Sequence, residues 1–289
     1  MGIVYDSYIT KEQFKNLTPL EKADALITTA MIEDSDNSNI SNNKTIQIDK
    51  PISLNYTVED NKINNNTIDI TESNESIELI IDDIPADYEL YLSINNLKYT
   101  SGTNRTDFKI TAKIDGITNS EKVNDFISSA YYMNNPDFLM NLGITTQNQD
   151  NSLKLTFSKK GSYSFDSMQI LAVSMKKYEE KVEKTNANVM KNINYGDNYI
   201  KGTISSNNNG ILQITTSYSD GWKAYVDGKE TEVFKVNEAF IGINIEAGEH
   251  TVEFKYETPY LKLGMIFSIV GILVYVSVII IDRKSKNNI

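Results

Sequence analysis

The sequence predicts a mainly β protein: an antiparallel β-sandwich and a second smaller β domain, with short N-terminal helices, one linking helix and one C-terminal transmembrane helix. Two observations carry this prediction. After Thr45, apolar residues recur at every second position in short runs separated by turn residues, which is typical of antiparallel sheets. Near the C-terminus, Leu263 to Ile281 form an uncharged apolar run long enough to cross a bilayer core.

The first 44 residues are predicted to be a helical segment and a linker. Thr10 and the glutamine three residues later form a capping box. Thr18 is the expected N-cap of a second helix, with Pro19 at its first position and Glu21 three residues after the cap. The apolar residues at helical spacing are Leu20, Ala23, Ile27, Ala30 and Met31. The polar run EDSDNSNISNNK follows as the linker.

The β-sandwich is predicted over residues 45–174. The runs SIELII, YELYLSI, FKITAKI and LKLTF alternate apolar and polar residues and supply its strands. The segment FISSAYYMNNPDFLMNLG interrupts the pattern as a short helix or a long loop. Residues 175–193 are expected to form a linking helix with a narrow apolar stripe of Met175, Tyr178, Val182 and Val189.

The second β domain is predicted over residues 194–260 and contains the single tryptophan. Asp227 with Gly228 is a strong hairpin signal, and EAGEH around Gly248 is a second turn. Trp222 alternates with lysine and tyrosine along its strand, so its ring is expected to face the packed side of the sheet. The alternative is that Trp222 is a platform for a saccharide. Asp220 and Tyr225 are the other candidate saccharide contacts.

Composition excludes several functions and favours none of the usual catalytic ones. The net charge of −11 argues against a nucleic-acid partner, and the absence of cysteine removes thiolate catalysis and cysteine-based zinc sites. His250 is the only histidine, and we expect it at the surface rather than in a metal site. The acidic run IDDIPAD is expected to be a solvated turn rather than a calcium loop. We therefore assign no catalytic residue, cofactor or metal.

The membrane topology poses a question. The predicted transmembrane helix spans residues 261–282, and the tail at 283–289 carries Arg283, Lys284 and Lys286, which favours a cytoplasmic C-terminus and an extracytoplasmic bulk. The first residues do not have the pattern of a signal peptide. The chain is then either a tail-anchored cytosolic protein or, as we prefer, the C-terminal part of a polytopic protein.

The order of these features resembles a known family. The runs YDSYIT and LTPLEKADALITTAMIED, the β region, the stretch DGWKAYVDGKETEVFKVNEAFIGINIEAGEHTVEFKYETPYLKLG and the terminal span are similar to the C-terminal region of the bacterial YfhO family. The resemblance implies a GT-C-type membrane glycosyltransferase connected with glycosylation of lipoteichoic acid in Gram-positive bacteria. It also implies a preceding multi-span region, with the catalytic acidic residue in an early extracellular loop.

Two main functional hypotheses follow. In the first, the chain is the extracytoplasmic accessory part of a membrane glycosyltransferase acting on cell-envelope glycopolymer, without the catalytic region and inactive by itself. Its expected partners are the lipid bilayer, the preceding multi-span region and the glycopolymer. The alternative is a membrane-anchored, non-enzymatic surface module that binds cell-wall glycan or a protein.

Overall fold

The computed structural model describes residues 2–34, 46, 48–59, 62–100, 106–125, 137–147 and 149–286. Within these ranges it has 24 β-strands and four α-helices, so the expected mainly β fold is confirmed. The chain divides into two compact units. The sandwich unit comprises Thr18–Asp24 and Gln47–Glu183, and the anchored unit comprises Met1–Leu17, Ala25–Ile46 and Lys184–Ile289.

The N-terminal residues were expected to be helical, but three strands accompany the two helices. The elements are β1 (Gly2–Tyr5), β2 (Tyr8–Thr10), α1 (Lys11–Lys15), α2 (Pro19–Thr28) and β3 (Ala30–Ile32). The capping box is confirmed: the Gln13 N–H donates to Thr10 Oγ1 at 3.3 Å, and the Thr10 N–H donates to Gln13 Oε1 at 3.1 Å. The expected helical stripe ends early, since Ala30 and Met31 are buried in β3 and Ala23 is exposed. Residues 35–45 of the predicted linker lie outside the described residues.

Among its described residues, the sandwich unit contains three antiparallel sheets. Their strand orders are β12-β11-β14-β8-β5, β13-β9-β16-β4 and β10-β15-β7-β6. The strands are β4 (Ile52–Leu54), β5 (Tyr56–Val58), β6 (Ile63–Asn64), β7 (Thr67–Ile70), β8 (Glu75–Ile81), β9 (Tyr88–Asn95), β10 (Lys98–Tyr99), β11 (Thr106–Ile114), β12 (Ile117–Asp125), β13 (Phe138–Ile144), β14 (Ser152–Phe157), β15 (Gly161–Ser164) and β16 (Ser167–Ser174). All four predicted runs are strands.

One apolar core lies between these sheets, as the alternation predicts. It includes an aromatic cluster in which the rings of Phe108 and Tyr163 meet edge to face, with centroids 4.9 Å apart. The Phe157 ring is 4.8 Å from the same tyrosine. In the interrupting segment, residues 126–136 lie outside the described residues, while the rest contributes β13.

The linking helix α3 (Met175–Ala187) is shorter than the expected 175–193, because the chain returns to β structure after it. Val189, which was expected on the helical stripe, instead forms a bridge with Ile3. Within the sandwich unit, Lys181 on α3 forms ion pairs with Asp24 at 2.6 Å and with Asp49 at 2.8 Å. α3 begins in the sandwich unit and ends in the anchored unit.

The anchored unit contains two sheets, ordered β1-β19-β23-β22-β3-β2 and β17-β18-β24-β20-β21. Its further strands are β17 (Lys191–Gly196), β18 (Tyr199–Ser206), β19 (Gly210–Ser217), β20 (Trp222–Val226), β21 (Lys229–Thr231), β22 (Phe234–Val236), β23 (Phe240–Ile245) and β24 (Gly248–Tyr256). β1 is antiparallel to β19, so the N-terminal strands complete a sheet of the second β region. The run KETEVFKV, expected as one strand, is divided between the two sheets.

The two sheets of the anchored unit enclose a second apolar core. Leu212 and Ile243 from one sheet and Ala224 and Phe254 from the other are fully buried in it. β24 leads through four residues into α4 (Leu261–Lys286). Leu261–Ile281 has a mean hydropathy of 2.7 and its apolar side chains are largely exposed, so this helix is long and apolar enough to be a candidate membrane span.

Candidate functional site

A pocket of about 350 Å³ lies in the anchored unit, at the end of the core where Trp222 is placed. We call it the Trp222 pocket. Its lining includes Met190, Tyr195, Asp197, Ile200, Thr216 and Trp222. Mostly apolar walls with a few polar groups are the usual composition of a small-molecule site. The Trp222 pocket is therefore the candidate binding site among the described residues.

The position of Trp222 follows from the alternation of β20. Ala224, two residues along, is fully buried in the core, so Trp222 projects from the same face of the sheet. Trp222 is paired in register with Tyr256 on β24, and the two ring centroids are 5.2 Å apart. The indole is only partly buried, because one face packs on the core and the pocket lies beside it. The indole packs against the core and also lines the pocket, and its role as a saccharide platform stays a prediction.

Asp220 lies next to the pocket but does not line it. It belongs to the turn before β20, where the Trp222 N–H donates to the Ser219 carbonyl at 3.1 Å. The turn rests on the segment before α4, since the Glu257 N–H donates to the Gly221 carbonyl at 2.9 Å. A Cβ atom on Gly221 would lie only 2.3 Å from the Glu257 carbonyl oxygen, so this close approach requires glycine.

Tyr225 points away from the Trp222 pocket. It lies an odd number of positions from Trp222 along β20, so the two side chains are on opposite faces of the sheet. On the outer face, Lys255 Nζ is 5.2 Å from the centroid of the Tyr225 ring, a cation–π distance. Asp220 thus stays near Trp222, two residues before it in the turn, whereas Tyr225 lies on the opposite face of the sheet from Trp222.

Sequence reasoning missed the residues that complete the pocket. Tyr195 and Asp197 come from β17 and the turn after it, at the start of the predicted second β domain, where no role was assigned to them. Met190 was placed within that helix, but it is buried in the core and its N–H donates to the Gly2 carbonyl at 2.8 Å. A local signal was present, because the glycine and aspartate at 196–197 mark a turn.

The opposite end of β20 is held by polar groups. Asp227 and Gly228 have φ angles of 51° and 82°, which confirms the expected hairpin with two left-handed residues. Asp227 also accepts hydrogen bonds from His250 Nδ1 at 2.7 Å and from the Thr251 N–H at 2.8 Å. These two bonds, with that from His250 the larger influence, lower the pKa of Asp227.

His250 is less exposed than the sequence suggested. Its Nδ1 is held by Asp227, and its Nε2 is buried without a hydrogen-bond partner among the described residues. Nowhere in the described ranges do three or more histidine, aspartate or glutamate side chains converge as a metal site would require. The acidic residues Asp82 and Asp83 are exposed, and Asp83 has a left-handed φ of 48°, as a turn requires.

Comparisons with known proteins agree on one family. A family model described as "Bacterial membrane protein YfhO" matches residues 1–268. The "Uncharacterized protein YfhO" of Bacillus subtilis (strain 168) is 24% identical over 301 residues, an alignment that covers 98% of this chain and 31% of that protein. The chain therefore spans less than a third of the length of this curated relative.

Among solved structures, the cryo-EM structure of the arabinofuranosyltransferase AftD from Mycobacteria aligns with 79% of this chain and 26% of that chain. The sequence identity is 8% and the TM-score is 0.25, which is too low to support an argument. The family match, in contrast, covers both β units and the start of α4. On that match, the chain belongs to the YfhO family of bacterial membrane proteins.

Proposed function

We propose that this chain is the extracytoplasmic accessory C-terminal part of a polytopic membrane glycosyltransferase in a Gram-positive bacterium, acting on a cell-envelope glycopolymer of the lipoteichoic acid type. Membership of a membrane-protein family and the short share of the relative's length both support a role within a longer protein. The observation that carries the proposal is the Trp222 pocket, which lies in the unit that continues directly into the membrane helix.

In this proposal the pocket holds a sugar of the acceptor polymer. The faces of Trp222 and Tyr195 present flat apolar surfaces that suit the C–H faces of a sugar ring. The Asp197 carboxylate and the Thr216 hydroxyl, also in the lining, supply hydrogen-bonding groups for sugar hydroxyls. The transfer chemistry is assigned to the part of the longer protein that this chain does not span.

The function is tested in the source bacterium by deleting the gene for the full-length protein and measuring the sugar content of purified lipoteichoic acid. We expect deletion to remove the sugar, the intact gene to restore it, and Trp222→Ala to restore several-fold less. Lys229→Ala, at an exposed position in β21, is the matched control and should restore fully. An unchanged sugar content after deletion would contradict the proposal.

The separation of binding from chemistry has its own test. The purified 289-residue chain, supplied with lipid-linked sugar and acceptor, should transfer no sugar, whereas the full-length protein should. Transfer by the short chain would show that the reacting groups lie within it, and the division of roles proposed here would be wrong.

The proposed orientation places both β units outside the cell. Arg283, Lys284 and Lys286 directly follow the span, and positive residues favour the cytoplasmic side. The 289 residues contain no cysteine, so single cysteines introduced here report the topology of this part once any cysteines elsewhere in the full-length protein are replaced. In intact cells, an impermeant maleimide should label Asn207→Cys but label Asn288→Cys only after permeabilisation. The reverse pattern would support the tail-anchored cytosolic alternative.

The second candidate is a membrane-anchored surface module that binds cell-wall glycan without taking part in transfer. The same Trp222 pocket favours it, since binding needs nothing beyond the lining. The two candidates differ in one result. Glycan binding by the purified chain, lost in Trp222→Ala, together with unchanged lipoteichoic acid after gene deletion, identifies the binding module.

A further inference from the structure

Aromatic side chains collect at one end of the β17-β18-β24-β20-β21 sheet. Trp222 is paired with Tyr256, and one row further in, Gly196 is paired with Tyr199 and Tyr199 with Lys255. The β17–β18 turn, the start of β20 and the end of β24 therefore share this end. We call it the aromatic end, and its aromatic residues are Tyr195, Tyr199, Trp222 and Tyr256, while Tyr260 follows in the segment that leads into α4.

The short length of the connecting chain keeps the aromatic end close to the start of α4. Only four residues separate Tyr256, the partner of Trp222, from Leu261 at the start of α4. A fully extended chain of this length spans no more than about 18 Å. The turn before Trp222 also contacts this segment through the Glu257 N–H and the Gly221 carbonyl, 2.9 Å apart. The sheet end and the membrane entry are thus continuous.

Several apolar and aromatic groups at this end are left open to solvent. Tyr195 is 76% exposed, and Tyr260, in the segment between β24 and α4, is 82% exposed. Ile193, on the same edge strand, is also exposed. Tyrosine and tryptophan are enriched at the membrane–water interface because the ring lies in the apolar layer while the hydroxyl or N–H contacts headgroups. The exposed groups are of the type that this interface accommodates.

The charges at the aromatic end do not favour an electrostatic attachment. Asp197, Asp220 and Glu257 are acidic, while Lys223, Lys255 and Lys262 are basic, so the two signs balance. Lys262 is moreover paired with Glu257 at 3.2 Å. A surface that bound anionic lipid through charge would carry an excess of cations. Burial of aromatic and apolar surface is therefore the expected source of any attraction.

We propose that the aromatic end rests in the headgroup region of the bilayer, so that the anchored unit contacts the membrane through this surface as well as through α4. The Trp222 pocket then opens at the lipid surface. This inference goes beyond the proposed function, because the contact would hold whether the full-length protein transfers sugar or only binds glycan.

The test uses the only tryptophan of the chain as the probe. The full chain is reconstituted in phosphatidylcholine vesicles, and Trp222 fluorescence is quenched by a nitroxide on the lipid headgroup. The control places the tryptophan at the far hairpin, in the double variant Trp222→Phe, Lys229→Trp. We expect several-fold stronger quenching for Trp222 than for the control, and little change between low and high salt. Circular dichroism verifies that the control is folded.

Two outcomes would overturn the proposal. Equal quenching of the two probes would show that the aromatic end is no closer to the lipid than the far hairpin. Quenching that needs anionic lipid and is lost in high salt would show that charge, and not the aromatic surface, makes the contact.

Discussion

At its C-terminal end β20 turns into β21 through Asp227 and Gly228, whereas at its N-terminal end Trp222 follows a turn that rests on the segment leading to α4. The first end is held by hydrogen bonds from His250 and Thr251 to one carboxylate. The second is held by aromatic packing and a close backbone approach. Polar hydrogen bonds hold the hairpin end, while the end next to the segment leading into α4 depends on shape and apolar surface.

The largest effect is expected from Trp222→Ala, which removes the half-buried indole that joins the core to the aromatic end. Loss of its packing on Tyr256 should lower the free energy of unfolding of the anchored unit by about 3 kcal/mol, the low end for large aromatic truncations. Hydrogen exchange of the slowest amides in β20 and β24 measures this change, and the sandwich unit is the internal control. Unchanged protection together with lost glycan binding would instead identify the indole as a platform only.

A smaller effect is expected from Gly221→Ala. The added Cβ would lie 2.3 Å from the Glu257 carbonyl oxygen, so the turn or the segment before α4 has to shift. Overpacking of this kind costs about 2 kcal/mol. Urea unfolding followed by Trp222 fluorescence reports on the anchored unit, because the chain has no other tryptophan. An unchanged free energy of unfolding would show that the segment before α4 can shift without disturbing the turn.

Gly228→Ala is the matched substitution at the far hairpin and should cost less. Nothing lies within 4 Å of the added Cβ, so only the left-handed φ of 82° opposes the change. A non-glycine residue in this conformation costs about 1 kcal/mol. The same fluorescence measurement applies. A cost equal to that of Gly221→Ala would remove the distinction drawn between the two ends.

The smallest effect is expected from Asp227→Asn, and it should depend on pH. Asparagine tolerates the left-handed turn but does not carry the charge that His250 and Thr251 stabilise. Because the pKa of Asp227 is lowered from 3.8, its contribution is present above that value and is lost as the pH falls through the folded-state pKa. The stability difference between wild type and variant should therefore disappear in acid. A difference that persists there would assign it to turn geometry.

Features formed by neighbouring residues could be predicted from the sequence, and features formed by distant residues could not. The Thr10 capping box, the Asp227 hairpin and the long apolar C-terminal helix are encoded by neighbouring residues, and all three are present. The pairing of β1 with β19 joins residues about two hundred positions apart, and such pairing leaves no local pattern. The Trp222 pocket depends on that assembly, since Met190 is held by the Gly2 carbonyl.

Only the part of the candidate site that lies on β20 was predicted, from the alternation of apolar and polar residues along that strand. The packed side of β20 was expected to hold Trp222, and the same alternation places Tyr225 on the other face, although the two were grouped as saccharide contacts. Extension of the charged helical pattern to residue 193 hid Met190 and the start of β17, whereas Tyr195 and Asp197 were placed in the second β domain but given no role. The helix ends at Ala187, where the chain begins to pair with β1 and β18.

The most direct test measures how close each end of the β17-β18-β24-β20-β21 sheet lies to the bilayer, in two single-cysteine variants of this chain. A single cysteine at Asn198, in the turn of the aromatic end, or at Lys229, in the far hairpin, is labelled with bimane in the reconstituted full chain. Headgroup-attached nitroxide lipids should quench the label at residue 198 strongly and the label at residue 229 weakly. Equal quenching, or stronger quenching at residue 229, would contradict the claim that the Trp222 end of the anchored unit faces the membrane.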